Sequence, residues 1–373
     1  MKMFYPLHEL LSSSPHFSKV PSKKEEKWRF SKLSQYLDKQ YQDTFDYEKQ
    51  DYCKNDKNFL EIRNGKLVSH HLPTSVHIRE HALDYEIDNN PFAKLASCSS
   101  AYPLEINIFK DLSLNIYLDY GPKGFISSSL NIILQEGVKA SIYITFEGGN
   151  ESFISHSSHI KLENKASLFL TQVQKLSSKA VLISQDCLHL HESSYLESFC
   201  LLKRAEYLHH FIKADLHYKS TLNINSLLLS QDEERFIFSC DINHLSDKSS
   251  SQVLSKQVLK DRSTCVFDAN TKIFKGTSLS KVKQGSHALL LSESAQIHSK
   301  PHLEIYSDDL SASHGSTVGS LDEDAISYLM ARGISHAKAH AILVNAFMQE
   351  ILESISSTEH KEKVLQHLGE LYE

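Results

Sequence analysis

Few residues in this chain of 373 could bind a metal or carry out acid–base or nucleophilic chemistry in concert. The six cysteines, Cys53, Cys98, Cys187, Cys200, Cys240 and Cys265, are at least 13 residues apart. No C-x-x-C pair exists, which excludes a zinc ribbon, a thioredoxin-type motif and a local ferredoxin-type cluster site. In a reducing compartment these thiols are expected to be free, and most to be small buried hydrophobes. The 22 histidines are spread along the chain. His70-His71 and His209-His210 are adjacent pairs, and on a strand neighbours face opposite sides, so each pair is a poor chelate. H-E-x-x-H and G-x-S-x-G are missing; the segment Gly315-Ser-Thr-Val-Gly319 has the wrong order. Neither a P-loop nor a G-x-G-x-x-G is present, so no nucleotide site of the chain's own is expected.

One segment concentrates unusual chemistry. Residues 300–324 are rich in Ser, Asp and Gly and carry His314 directly before Gly315. The segment reads as a polar loop joining the last strands to a first C-terminal helix, with its imidazole turned outward. A neutral imidazole suits iron as well as zinc; a histidine that hydrogen-bonds a turn is the other reading. Glu136, Glu163 and Glu192 recur regularly, but in expected turns, where they are solvated. Paired carboxylates in a groove would instead mark a polysaccharide lyase or hydrolase, which stays open as the alternative function.

These groups need a framework. Residues 1–103 read as a mostly helical N-terminal region, with a helix over 22–37 that carries Trp28, Phe30, Leu33 and Tyr36. A short hairpin follows at 59–72, around Asn64-Gly65. Residues 104–318 hold short runs such as LEINIF (104–109), ASIYITF (140–146) and TLNINSLLL (221–229), which alternate apolar with polar residues as half-buried strands do. A polar turn followed by an apolar strand start recurs at Ile142, Leu168, Leu196 and Leu222, in steps of 26, 28 and 26 residues. A period in this range points to a solenoid. With strands alone in the repeat, the fold class is mainly β with a parallel β-helix core. On the repeat alone, an irregular antiparallel barrel with accidental spacing remains open.

Residues 319–373 read as helical. Ser320-Leu-Asp-Glu323 matches a capping box, and Gly333 is a natural C-cap. Ser335 is expected to cap a second helix with the stripe Ala339, Ile342, Leu343, Ala346, Phe347, Ile351 and Leu352. A third helix starts at Thr358. Three short helices here would cap the open end of the solenoid or dock a partner.

Composition narrows the function classes. With 40 Lys plus Arg against 46 Asp plus Glu the net charge is −6, and no basic stripe marks a nucleic-acid binder. No apolar run is long enough for a membrane span. The N-terminus lacks an apolar signal region, so the cytoplasm is the expected compartment.

Segment 300–324 resembles the C-terminal motif of the SufB/SufD family, components of the Suf iron–sulfur cluster assembly machinery. Lys300-Pro301, Leu303-Glu304-Ile305, Asp308-Asp309, Ser313-His314-Gly315, Thr317-Val318-Gly319 and Leu321-Asp-Glu-Asp324 carry the likeness. Tyr328-Leu329, Arg332-Gly333-Ile334, Leu289-Leu-Leu-Ser292 and Ala295 extend it. Glu25-Glu26-Lys27-Trp28-Arg29-Phe30-Ser31 resembles the family's N-terminal tryptophan motif. The Ser-His-Gly form is the SufD type; SufB-type chains carry Glu-His-Glu-Ala.

The resemblance implies a right-handed parallel β-helix core between N-terminal and C-terminal helical regions. It also implies a non-catalytic scaffold that pairs with a SufB-like subunit through the β-helix. A SufC-like ABC ATPase would dock on the C-terminal helices, for which Tyr328, Leu329, Arg332, Gly333, Ile334, Ile342 and Phe347 are the expected contacts. The cluster would be transient cargo, with no cofactor bound stably to this chain alone; a flavin and a homodimer in isolation are left open. Members often carry a cysteine two residues before the motif histidine, where this chain has Ala312. A ligand role at that edge therefore falls to His314, with Cys265 as the weaker alternative.

Overall fold

A computed structural model describes residues 4–6, 28–29, 31–37, 39–43, 56–80, 90–100 and 102–369. The middle of the chain coils into a parallel β-helix of about eight turns. Each coil lays one strand on each of two facing sheets. Phe153–Leu162, for example, is followed across the coil by Ser167–Leu176, and the chain then returns at Val181–Leu190. The return is in parallel register: Phe153 pairs with Val181 and Leu162 with Leu190. Ten-residue strands joined by short polar corners account for the period seen in the sequence. Ala140, Leu168, Leu196 and Leu222 share one column, whereas Ile142 is level with Leu170. The first rung of the repeat is thus two residues earlier than the sequence pattern placed it. Ala140 is small enough to be passed over as an apolar start.

Inward side chains alternate with outward ones and stack along the axis. Ile132, Ile160, Leu188, Ala214 and Ile242 form one such row, all within the main core. Non-glycine residues take the left-handed conformation at the corners, as Lys165, Ser193, Lys219 and Lys248 do. The one-residue αL kink lets each strand turn onto the opposite sheet.

The N-terminal end of the coil is closed by antiparallel strands. Phe59–Arg63 pairs with Lys66–His71 across a turn in which Asn64 and Gly65 both have positive φ, so the expected hairpin forms. Val76–Glu80 closes the other sheet against Leu104–Ile108. In its described part, residues 1–103 hold five strands and two short helices, α1 (Ser34–Leu37) and α2 (Pro91–Ser99). The mostly helical expectation is corrected for these residues. Leu60 and Ile62 are drawn into the solenoid by pairing with Leu112–Tyr120, which local pattern does not reveal. Residues 22–27 and 30 of the expected helix, and Cys53, lie outside the described residues.

The helices cover the flanks and not the end. Trp28, Leu33, Tyr36, Phe92 and Leu95 lie over the outer face of one sheet, against Phe153, Ile183, Tyr207, Ile237 and Val266. At the C-terminus come α3 (Glu323–Ala331), α4 (His336–Leu352) and α5 (Thr358–Gly369). Asp322, and not Ser320, is the N-cap of α3; its side chain accepts from the Asp324 and Ala325 N–H groups. Ser335 caps α4, and Gly333 takes φ +84° after α3. Val344, Met348, Ile351 and Leu352 of α4 and Val364 and Leu368 of α5 pack on Tyr143, Phe199, Leu201 and Leu227 of the second sheet. The buried stripe of α4 is rotated from the one expected, with Ile342 and Ala346 outside. Two buried lysines hook these helices down: Lys256 donates to the Phe347 carbonyl (2.7 Å) and Lys203 to that of His367.

Candidate functional site

The expected polar loop around His314 is a strand, Leu310–Gly319, and this corrects the sequence reading. Its parallel partner is Ser280–Leu290, with His314 level with Gln284 and Ser316 level with Ser286. The small polar residues of 310–319 look loop-like because nothing stacks on them from beyond. Their ladder to the preceding coil holds them extended. The strand before, Gln296–Ile305, pairs with Thr264–Ile273. Among the described residues, these two strands end their sheets and leave one edge of each unpaired.

His314 therefore belongs to a column of inward side chains, and the outward-turned imidazole of the loop reading is corrected too. Gln284, one rung earlier, reaches across the interior to Thr271 Oγ1 (2.8 Å) and the His302 carbonyl (3.2 Å). Ser316 Oγ donates to Ser299 Oγ of the facing strand at 2.9 Å, so even-numbered residues here point inward. His314 is nevertheless exposed, because among the described residues no further strand stacks over it. Ala312 shares this face. Cys265 does not join it. It is fully buried beside Ser230, and desolvation pushes its thiol up to about 12. Such a thiol is a poor ligand or nucleophile.

Behind His314 the interior carries a polar column that the sequence reading missed. Ser226 Oγ donates to Ser255 Oγ (2.7 Å), Gln257 donates to the same oxygen (2.6 Å), and Ser286 approaches Gln257 (3.4 Å). Deeper still, Gln172 donates to Asp186 Oδ2 (2.8 Å), Asp186 lies 3.5 Å from His210 Nε2, and Ser184 Oγ is 2.8 Å from His210 Nδ1. Burial raises the Asp186 carboxyl and lowers the His210 imidazole, so both favour neutral forms. Cys200 is 3.7 Å from His210, and burial raises its thiol strongly. His156 sits between Ser128 (2.8 Å) and Ser158 (2.9 Å), lowered to about 3 by burial. The available signal was the step Ser226, Ser255, Ser286, Ser316 at roughly the coil period. Most of these groups bond to one another, although Asp186 Oδ1 has no hydrogen-bond partner, and among the described residues no three His, Cys, Asp or Glu side chains are placed to hold a metal ion.

The remaining candidates are dispersed. Tyr328, Arg332, Gly333 and Ile342 are exposed on α3, its end and α4, with the Arg332 guanidinium 4.4 Å from the Tyr328 ring centre. Leu329 and Ile334 are half-buried. Phe347 faces inward, under the Lys256 ammonium at 4.6 Å. Glu136, Glu163 and Glu192 stand at the corner turns, outside any shared groove. His209 and His210 take opposite faces, the first beneath Trp28 and the second beside Asp186. No helix among the described residues is long and apolar enough to cross a membrane.

Comparison with known proteins gives a consistent result. The domain family described as SUF system FeS cluster assembly, SufBD core domain, matches residues 120–347, more than half of the chain. The chain is 32% identical to the iron–sulfur cluster assembly protein SufD of Escherichia coli K12 over 151 residues, 40% of this chain and 36% of that protein. It is 30% identical over 130 residues to SufD of Bacillus subtilis 168, covering 35% and 30% of the two chains. It is also 30% identical over 122 residues to protein ABCI7, chloroplastic, of Arabidopsis thaliana, covering 32% and 26%. The matched stretch thus spans about a third of these relatives' own length.

Proposed function

The chain belongs to the SufBD family of the SUF iron–sulfur cluster assembly system, and on that premise we propose that it is a non-catalytic scaffold subunit of the SufD type. A SufB-like chain stacks on its open end, and the nascent cluster forms between the two as cargo for apo-proteins. One observation carries this reading: the solenoid ends on two strands with free edges, and the exposed imidazole of His314 stands on the inward face of the last strand. Unpaired strand edges are templates for another chain. One imidazole is too few ligands for a cluster, so the other ligands come from the partner. The isolated chain is then colourless when purified without oxygen.

A SufC-like ATPase would dock on the exposed face formed by Tyr328, Arg332 and Ile342. Point substitutions suit this better than truncation, since removing α4 and α5 would strip cover from Phe199, Leu201 and Leu227. His314→Ala tests the site. Melting should stay within about 0.5 kcal/mol of the parent, as for an exposed position, while the activity of an iron–sulfur enzyme in a complemented strain falls. Unchanged enzyme activity at unchanged protein level removes His314 from the mechanism.

A further inference from the structure

We propose that one corner of the solenoid, running up to the open end, is a second part of the surface that receives the SufB-like partner; this rests on the end-to-end reading above. The corner repeats the same two positions in every coil, so its residues can be compared rung by rung. The first position follows each strand of one sheet, its N–H donating to the coil before. It holds Phe109 in the first coil, Gln135, Glu163, His191 and His217 in the next four, then Leu245, Phe274 and Tyr306 in the three nearest the open end. The second is the left-handed residue of the turn, its N–H donating to the following coil. It holds Gly137, Lys165, Ser193, Lys219 and Lys248, and then Leu279. Both columns are polar or small through the middle of the solenoid and turn apolar together towards the free end; Phe109, at the opposite end, stands against the His77 ring (4.8 Å).

These apolar residues are not core. Leu245 and Phe274 are each 37% exposed, Leu279 49% and Tyr306 56%. Leu279 also keeps φ +57°, a conformation disfavoured for a residue with a Cβ, where earlier coils use Lys, Ser or Gly. The Lys272 ammonium lies 5.1 Å from the Phe274 ring centre and 5.4 Å from that of Tyr306, and Glu304 holds it at 3.6 Å. The rings are thereby fixed side by side facing outward. A contiguous exposed apolar patch marks an interaction surface. The occupant follows from position: the patch is continuous with the two free strand edges, and a chain stacked on those edges reaches Tyr306 first, then Leu279 and Phe274.

The test restores what the earlier coils already tolerate. In the full chain, Phe274→His, Tyr306→His and Leu279→Lys together copy the residues found at His217 and Lys248, so the fold is expected to be retained, which an unchanged melting curve verifies. Binding to a purified SufB-like subunit, titrated by native mass spectrometry, should weaken at least about tenfold, as loss of aromatic anchors does. Ser316→Arg, which puts a cation on the inward face of the free edge, is the comparator. If the triple variant binds at full strength while Ser316→Arg does not, the corner has no part in docking and only the end-to-end reading stands. If both bind at full strength, that reading and the inference fall together. If the triple variant loses only a homodimer, the occupant is a second copy and the inference is overturned.

Discussion

Gln284 and His314 occupy the same inward column, one strand apart, and meet opposite fates. Gln284 is 2% exposed, and its amide bridges the interior to Thr271. His314 has the same backbone setting and faces solvent. The middle of the solenoid and its last coil are built from the same strand, corner and register. They differ in whether a further coil follows. Burial here is a property of the stack and not of the residue, and a terminal coil left open displays side chains that would otherwise be core. The N-terminal end teaches the same lesson by contrast, since antiparallel strands close it.

The comparison predicts unequal costs within one column. Leu228, Gln257, Ala288 and Val318 are in register from the middle to the end. Leu228→Ala should destabilise by about 2–5 kcal/mol, since it opens a cavity in close-packed core. Val318→Ala, exposed in the last coil, should change stability by no more than about 0.5 kcal/mol. Denaturant titration of the two variants checks this, and similar losses would break the distinction between closed and open coils.

Acid should find the closed region next. Burial lowers His156 to about 3 and both His244 and His360 to about 4, and lowers His210 as well. Below their ordinary value near 6.5 these groups bind protons in the unfolded chain before the folded one. Unfolding therefore takes up protons, and stability falls as pH drops from about 6.5 towards 4. The raised carboxyls of Asp186 and Glu234, the latter at about 7, oppose this, because they hold protons more readily when folded. His189, His191 and His298 are lowered by burial too, so the lowered histidines outnumber the two raised carboxyls and leave a net loss on acidification. His156→Gln, which can still bond Ser128 and Ser158, should flatten the slope by up to about 1.4 kcal/mol per pH unit. An unchanged slope of melting free energy against pH would mean that His156 takes up its proton in the folded chain.

Smallest in stability are changes on the exposed helical face. Tyr328→Ala with Ile342→Asp should leave melting within about 0.5 kcal/mol of the parent and abolish capture of a SufC-like ATPase in a pull-down. Full capture would move that docking surface elsewhere.

Much of the architecture was legible in the sequence. Alternating runs and steps of 26 and 28 residues pointed to a parallel β-helix, with an irregular barrel still open on the repeat alone, and Asn64-Gly65 pointed to the hairpin. What was lost depends on neighbours. Strand 310–319 reads as a loop because Ser311, Ser313, Gly315 and Ser316 have no apolar face of their own; the ladder to 280–290 makes it a strand. Leu60 and Ile62 belong to the core only through their pairing with 112–120. The buried α4 stripe is rotated from the periodic one because Val344 and Met348 are chosen by the sheet beneath and not by helical period alone. The interior cluster of Gln172, Asp186 and His210 interrupts apolar alternation on each strand, and its members meet only once the coils are stacked. His314 was found through its motif, whereas its inward orientation at an open end required the register.

The free edges of 296–305 and 310–319 are expected to receive a second solenoid chain. Native mass spectrometry of the affinity-purified complex, wild type beside Ser316→Arg, addresses it most directly. The wild type should form a stoichiometric complex with a SufB-like subunit, and Ser316→Arg should give a folded chain that has lost this subunit while keeping a SufC-like ATPase. A Ser316→Arg chain that retains the SufB-like subunit at wild-type occupancy would contradict it.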